Sequence, residues 1–85
     1  MSTADERFET RETAPVNIPF AELTAREREV ALLLAVGTGN REIARSLGVS
    51  VKTVDTHRGH VLRKLGLRNN VELARLAIRR GHVAA

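Results

Sequence analysis

SVKTVDTHRGHVLRKL, residues 50–65, is the stretch whose reading decides the fold. Wound as an α-helix at about 100° per residue, it sorts into two opposed faces. Val54, Val61 and Leu65 fall within roughly 40° of one another, flanked by Val51, Leu62 and His57, and form a core-facing stripe. The opposite arc collects Lys52, Asp55, Thr56, Gly59, His60 and Arg63. A face that meets only water is normally supported by Glu and Lys paired at i,i+4. This one carries short groups at its middle and cations at its ends, which suits a helix pressed against a large polyanion. An ordinary amphipathic helix with a wet outer face is the competing reading of this stretch alone.

Composition narrows the choice. An 85-residue chain is one small domain, which buries only about 60% of the surface its unfolded form exposes, so pairing with a second subunit would add needed stability. Cysteine is absent, which removes disulfides and thiolate metal sites. The first residues, MSTADERFETRE, are acidic and polar, unlike a signal peptide. The longest apolar run, Val30 to Val36, is too short to span a bilayer. A cytoplasmic, nucleoid-associated protein with no membrane partner is expected.

The net charge of +4 understates how basic the working part is. Residues 1–20 hold Asp5, Glu6, Glu9 and Glu12 against Arg7 and Arg11, a charge of −2, which leaves +6 for residues 21–85. Within residues 37–68, Arg41, Arg45, Lys52, Arg58, Arg63, Lys64 and Arg68 face only Glu42 and Asp55, a charge of +5. Such asymmetry is the electrostatic footprint of a nucleic-acid surface. The only aromatics are Phe8 and Phe20. Single-strand and RNA binders stack bases on aromatic platforms, so duplex DNA is the expected partner.

Taken in order, residues 1–19 read as a flexible, disordered acidic tail ending in Pro15 and Pro19, and residues 20–85 as the domain. Phe20 and Leu23 are the first residues expected to dock on a core. Thr24 and Glu27 have capping-box spacing and start a helix that runs from Ala25 to about Val36 and stops at Gly37, with Val30, Ala31, Leu33 and Leu34 as its core stripe. Thr38 or Asn40 is expected to cap a short helix through Leu47 that buries Ile43, Ala44 and Leu47 and ends at Gly48. Ser50 is the N-cap of the organising helix, which ends at Gly66. Asn69 with Glu72 repeats the box spacing, and a fourth helix follows to about Arg80, closed by Gly81. Caps and terminal glycines agree on an all-α fold, a four-helix bundle. Helices 40–47 and 51–65, joined across Gly48-Val49-Ser50, have the proportions of a helix-turn-helix.

LTARERE, then GTGNREIARSLGVSVKTVDTHRGHVLRKLGL, then ELARLAIRRGHV together resemble the LuxR/FixJ-type helix-turn-helix domain of bacterial transcription regulators. The resemblance covers about residues 21–83 and rests on several spaced motifs in order. It implies a four-helix DNA-binding domain whose second motif helix enters the major groove and whose last helix commonly pairs two copies. Family members usually carry a receiver or ligand-binding domain ahead of it. This sequence has no room for one, so it resembles the short stand-alone members, unless it is a fragment. The resemblance implies that Asp55, Thr56 and Gly59 lie nearest the base edges. It implies phosphate contacts from Thr38, Asn40, Arg41, Lys52, Thr53, Arg63 and Lys64. Asp55 and Gly59 depart from the commoner cation at such positions. Asp55 can accept from cytosine N4, Thr56 can offer its methyl to thymine, and Gly59 reads nothing but permits close approach.

Other features read more plainly. His57 edges the apolar arc and fits a packed, hydrogen-bonded histidine, with a functional role as the alternative. His57, His60 and His82 lack metal-ligand spacing, so neither metal nor cofactor is expected. No catalytic constellation appears, so the chain is not read as an enzyme. Arg58 fits a salt bridge with Glu27 or Glu29, or else a phosphate contact. On the fourth helix, Val71, Ala74 and Ile78 are expected to face the domain's own core. Leu73, Leu76 and Ala77 form a second apolar arc, expected to be a homodimer interface within helix 69–81. A sigma-factor region-4-like promoter binder is a rival reading, and so is a protein-interaction module that sequesters a partner regulator.

Overall fold

Each helix begins where a side chain can satisfy its first amides, with one exception. In the computed structural model, which describes residues 18–84, α1 spans Ala25–Ala35, α2 Asn40–Leu47, α3 Val51–Leu65 and α4 Asn70–Arg79. There is no strand among the described residues. Residues 1–17 of the expected tail lie outside the described residues, while Ile18 and Pro19 already belong to the turn that leads into the domain.

The capping box at α1 is complete. The Glu27 amide donates to Thr24 Oγ1 at 3.2 Å and the Thr24 amide donates to Glu27 Oε1 at 2.9 Å. Ser50 Oγ accepts from the Thr53 amide at 3.0 Å to start α3, a contact of the kind that contributes about 1 kcal/mol. Asn69 Oδ1 accepts from the Glu72 amide at 2.9 Å. The Glu72 carboxylate, however, turns to the Arg68 amide and guanidinium instead of completing a box on Asn69, because a cation sits one residue further back. The exception is α2. Its N-cap is Gly39, with no side-chain cap, and neither Thr38 nor Asn40 performs the expected role.

The four helix ends close alike. The amides of Thr38, Val49, Leu67 and His82 return to the carbonyls of Leu33, Ala44, Leu62 and Ala77, each five residues back. At the helix-turn-helix corner this requires Gly48 to hold φ 70°, a left-handed conformation that a Cβ disfavours.

Helix α1 is the hub, packing against α3 on one side and α4 on the other, while α2 packs mainly on α3. Being covered on two sides, it buries Val30, Ala31, Leu34 and Ala35 rather than one narrow stripe, and Leu33 is only half-buried. Phe20, Ile43, Leu73, Val30, Val54 and Val61 are the largest fully buried side chains. Phe20 holds φ 50°, an uncommon conformation for a residue with a Cβ, at a cost of roughly 1–2 kcal/mol. Full burial of its ring and the contacts of its amide offset that cost. The amide donates to His82 Nε2 at 3.1 Å, the two rings meet edge to face at 4.6 Å, and Arg80 forms a two-pronged pair with Glu22.

The fourth helix is rotated relative to expectation. Leu73 and Ala77 are fully buried in the domain's own core, so neither is exposed to pair with a second copy as expected, and Leu76 is partly buried against the same core. Val71 is 60% exposed and Ile78 41% exposed, with Ala74 half-buried. Turning Leu73, Leu76 and Ala77 inward covers the bulkier of the two apolar arcs, and in that orientation Asn70 Oδ1 at the start of α4 accepts from Arg58 Nε of α3 at 2.8 Å. Once Asn70 faces inward, positions three and seven residues on, Leu73 and Ala77, face inward with it. Two apolar arcs on one short helix look alike in sequence, and packing on the rest of the core chooses between them.

Candidate nucleic-acid interface

The exposed arc of α3 follows from its buried one. With Val54, Val61 and Leu62 in the core, Lys52, Asp55, Thr56 and Arg63 are exposed, and Gly59 and His60 are half-exposed at the surface. The Thr56 hydroxyl donates to the Lys52 carbonyl at 3.1 Å, leaving its methyl as the group without a polar commitment. A Cβ built on Gly59 would meet nothing within 4 Å, so the bare backbone there answers to no packing demand inside the domain. Lys52, Asp55 and Arg63 make no ion pair among the described residues, in contrast to Arg68 and Arg80.

The start of α2 adds a second feature. Arg41 is exposed, Asn40 and Thr38 are half-buried, and the helix's first amides lack a side-chain acceptor because Gly39 precedes them. Uncapped amides at a helix N-terminus carry partial positive charge toward solvent. The Thr38 amide itself is used, closing on Leu33. Thr53 is half-buried, and its hydroxyl lies 2.9 Å from Ser50 Oγ within the α3 cap.

Lys64, expected to contact phosphate, is engaged elsewhere: its Nζ lies 2.8 Å from Glu27 Oε1. Glu27 is the one buried charged residue among those described. The Lys64 ammonium foremost, then the Thr24 amide, hold its carboxyl down at about 2. Arg58 pairs with neither Glu27 nor Glu29; its Nε donates to Asn70 Oδ1, which joins α3 to α4. His57 is half-buried with Nδ1 enclosed and unpaired among the described residues, so it is packed but not hydrogen-bonded there. No group of three or more His, Cys, Asp or Glu among the described residues could hold a metal ion. Nor is any described helix long and apolar enough to cross a membrane.

A third surface was missed in the sequence. Val71 and Ala74, with Leu34, Ala35, Thr38 and Asn70, line a shallow crevice of about 440 Å³ beside the exposed arc of α4. The expected inward orientation of Val71 and Ala74 concealed it.

Residues 21–77 match the pattern of bacterial regulatory proteins of the luxR family. The chain is also similar to the oxygen regulatory protein NreC of Staphylococcus aureus, at 46% identity over 70 residues in strains RF122/ET3-1 and MRSA252 alike. The match takes in 82% of this chain but only 32% of each relative, so the chain spans about a third of their length. Four helices, a helix-turn-helix corner at Gly48 and the matched span of sequence agree: the chain belongs to the luxR family of bacterial regulatory proteins.

Proposed function

We propose that this domain binds duplex DNA with α3 in the major groove and thereby regulates transcription in the bacterial cytoplasm. The observation that carries the reading is the low-relief arc of α3, with Lys52 and Arg63, unpaired among the described residues, flanking Asp55, Thr56 and Gly59, beside the uncapped start of α2. Phosphates would be met by Lys52, Arg63 and Arg41, and by the first amides of α2, with Thr38, Asn40 and Thr53 adding polar groups. Lys52→Ala and Arg63→Ala are each expected to weaken binding to all sequences and to flatten the dependence of log K on log salt by about one unit. Fluorescence anisotropy across a salt series measures both. Unchanged affinity and slope in the folded double variant would remove this face from the reading.

Base choice falls to Asp55 and Thr56. A carboxylate only accepts hydrogen bonds, so Asp55 selects a base edge that donates, cytosine N4 or adenine N6, and rejects the acceptor pair of guanine. Asp55→Ala should relax the preference at one position of a randomised-site selection, with about 1–3 kcal/mol of discrimination lost there. Loss of affinity with an unchanged preferred sequence would assign Asp55 to positioning only.

Two copies pair through the exposed arc of α4, with Val71, Ala74 and Ile78 facing their counterparts across a two-fold axis. What supports this is apolar surface that a small domain leaves uncovered, next to the α4 crevice. Pairing would set two recognition helices roughly 34 Å apart, one turn of DNA.

A further inference from the structure

Charge in this chain is divided between two stretches. Among the described residues, Glu22, Glu27, Glu29 and Glu72 each lie 2.8–3.3 Å from a cation of the domain. Arg41 and Arg45 on α2, and Lys52 and Arg63 on α3, are exposed and have no carboxylate partner among those residues. The acids on the same two helices are Glu42 and Asp55, which leaves the cations in excess. Further carboxylates stand ahead of the fold, where Asp5, Glu6, Glu9 and Glu12 outnumber Arg7 and Arg11.

We propose that residues 5–12 lie on the exposed arc of α3 in the free protein, with their carboxylates at Lys52, Arg63 and Arg41, and must leave before DNA takes the same place. The exclusion rests on the DNA-binding reading above, whereas the contact itself does not. Connectivity puts the segment within reach. Lys64 Nζ lies 2.8 Å from Glu27 Oε1, so the end of α3 stands beside the start of α1, and Arg63 is the next residue back. The chain enters the described fold at Ile18, seven residues before α1. From Thr10 to Ile18 an extended chain covers up to roughly 28 Å, and the fifteen residues of α3 run about 22 Å. Each surface ion pair is weak on its own. Attachment within one chain raises the local concentration of the segment to roughly the millimolar range, so a few weak pairs suffice. Arg75 and Arg79 on α4 are a rival anchorage, also exposed and without a carboxylate, but they are two cations against four.

The chain has no cysteine, so Thr10→Cys gives the full-length protein a single attachment point for a nitroxide spin label. At about 0.01 M salt, the amide signals of Lys52, Asp55, Thr56 and Arg63 should lose about half their intensity or more, and recover it at about 1 M, where charges are screened within about 3 Å. A mixed-sequence duplex of about two helical turns should restore the same signals at low salt. In the full chain carrying Glu6→Gln, Glu9→Gln and Glu12→Gln, the signal loss should disappear. Its DNA affinity at low salt should rise about three- to tenfold, the reciprocal of the fraction of parent protein whose arc is open. Signal loss spread evenly over the domain, centred on Arg75 and Arg79, or surviving about 1 M salt would overturn the contact. Signal loss that persists in the DNA complex, or an unchanged affinity in the triple variant, would overturn the exclusion. A docked segment in a protein that shows no salt-sensitive DNA binding even as the triple variant would instead remove the DNA-binding reading and leave the contact standing.

Discussion

Glu27→Gln is expected to destabilise the domain by about 2 kcal/mol near neutral pH, and this deficit should vanish as the solution is acidified. Glutamine keeps an oxygen for the Thr24 amide, so the loss is that of the charge facing Lys64. A carboxyl held at about 2 instead of its usual 4.5 corresponds to about 3 kcal/mol at 1.36 kcal/mol per unit. Lys64 is 44% exposed and partly screened by water, which reduces the expected figure. A carboxylate whose folded-state pKa is depressed contributes fully above its unfolded value. The contribution fades as pH falls from about 4.5 toward about 2, where the folded carboxyl is itself protonated. Parent and variant should therefore converge in that window. Glu22, lowered by Arg80, and Glu72, lowered by the Arg68 amide and guanidinium, shift in the same direction in both proteins and cancel in the comparison. Urea unfolding followed by circular dichroism at several pH values makes the measurement. A deficit that stays constant down to the lowest pH would show that the side chain matters for packing and not for charge.

The largest effect on binding is expected from Val71→Glu. Placing a carboxylate on the exposed arc of α4 leaves the core untouched, since Val71 is 60% exposed, yet would set like charges face to face across the proposed two-fold axis. A folded, monomeric protein should result. Its affinity for a two-half-site duplex should fall about a hundredfold or more, because the second half-site no longer binds at high effective concentration. Leu73→Ala, two residues along, should behave oppositely. It opens a cavity in the centre of the core and costs about 2–5 kcal/mol, a large share of the stability of so small a domain. Sedimentation with and without DNA, and thermal melts, distinguish the two. A parent protein that stays monomeric at tens of micromolar, roughly the concentration needed to see weak pairs, and on DNA would end the pairing proposal.

What could be read from the sequence was whatever is decided within one turn of helix. Thr24 and Ser50 announce helix starts because their hydroxyls reach amides three residues on, and the glycines announce helix ends because their φ is set locally. The two faces of α3 were legible for the same reason, since fifteen residues sort themselves around one axis. The contacts that escaped are those that span the chain. Lys64 and Glu27 are 37 residues apart, Phe20 and His82 are 62 apart, and nothing in either stretch names its partner. Even the twelve-residue step from Arg58 to Asn70, which joins α3 to α4 in the orientation that buries Leu73 and Ala77, is not written in either stretch.

The clasp between Phe20 and His82, reinforced by Arg80 on Glu22, has a mechanical consequence. It fastens the lead-in of the domain to the far end of α4, so the chain enters and leaves the fold at one corner. The hub α1 then stands between that corner and α2, which α4 hardly meets. A load applied at Phe20 is shared by the end of α4, through His82, and by the start of α1, through the backbone of residues 21–24. A pull at that residue therefore reorients the whole unit like a handle turning a key, without bending the teeth.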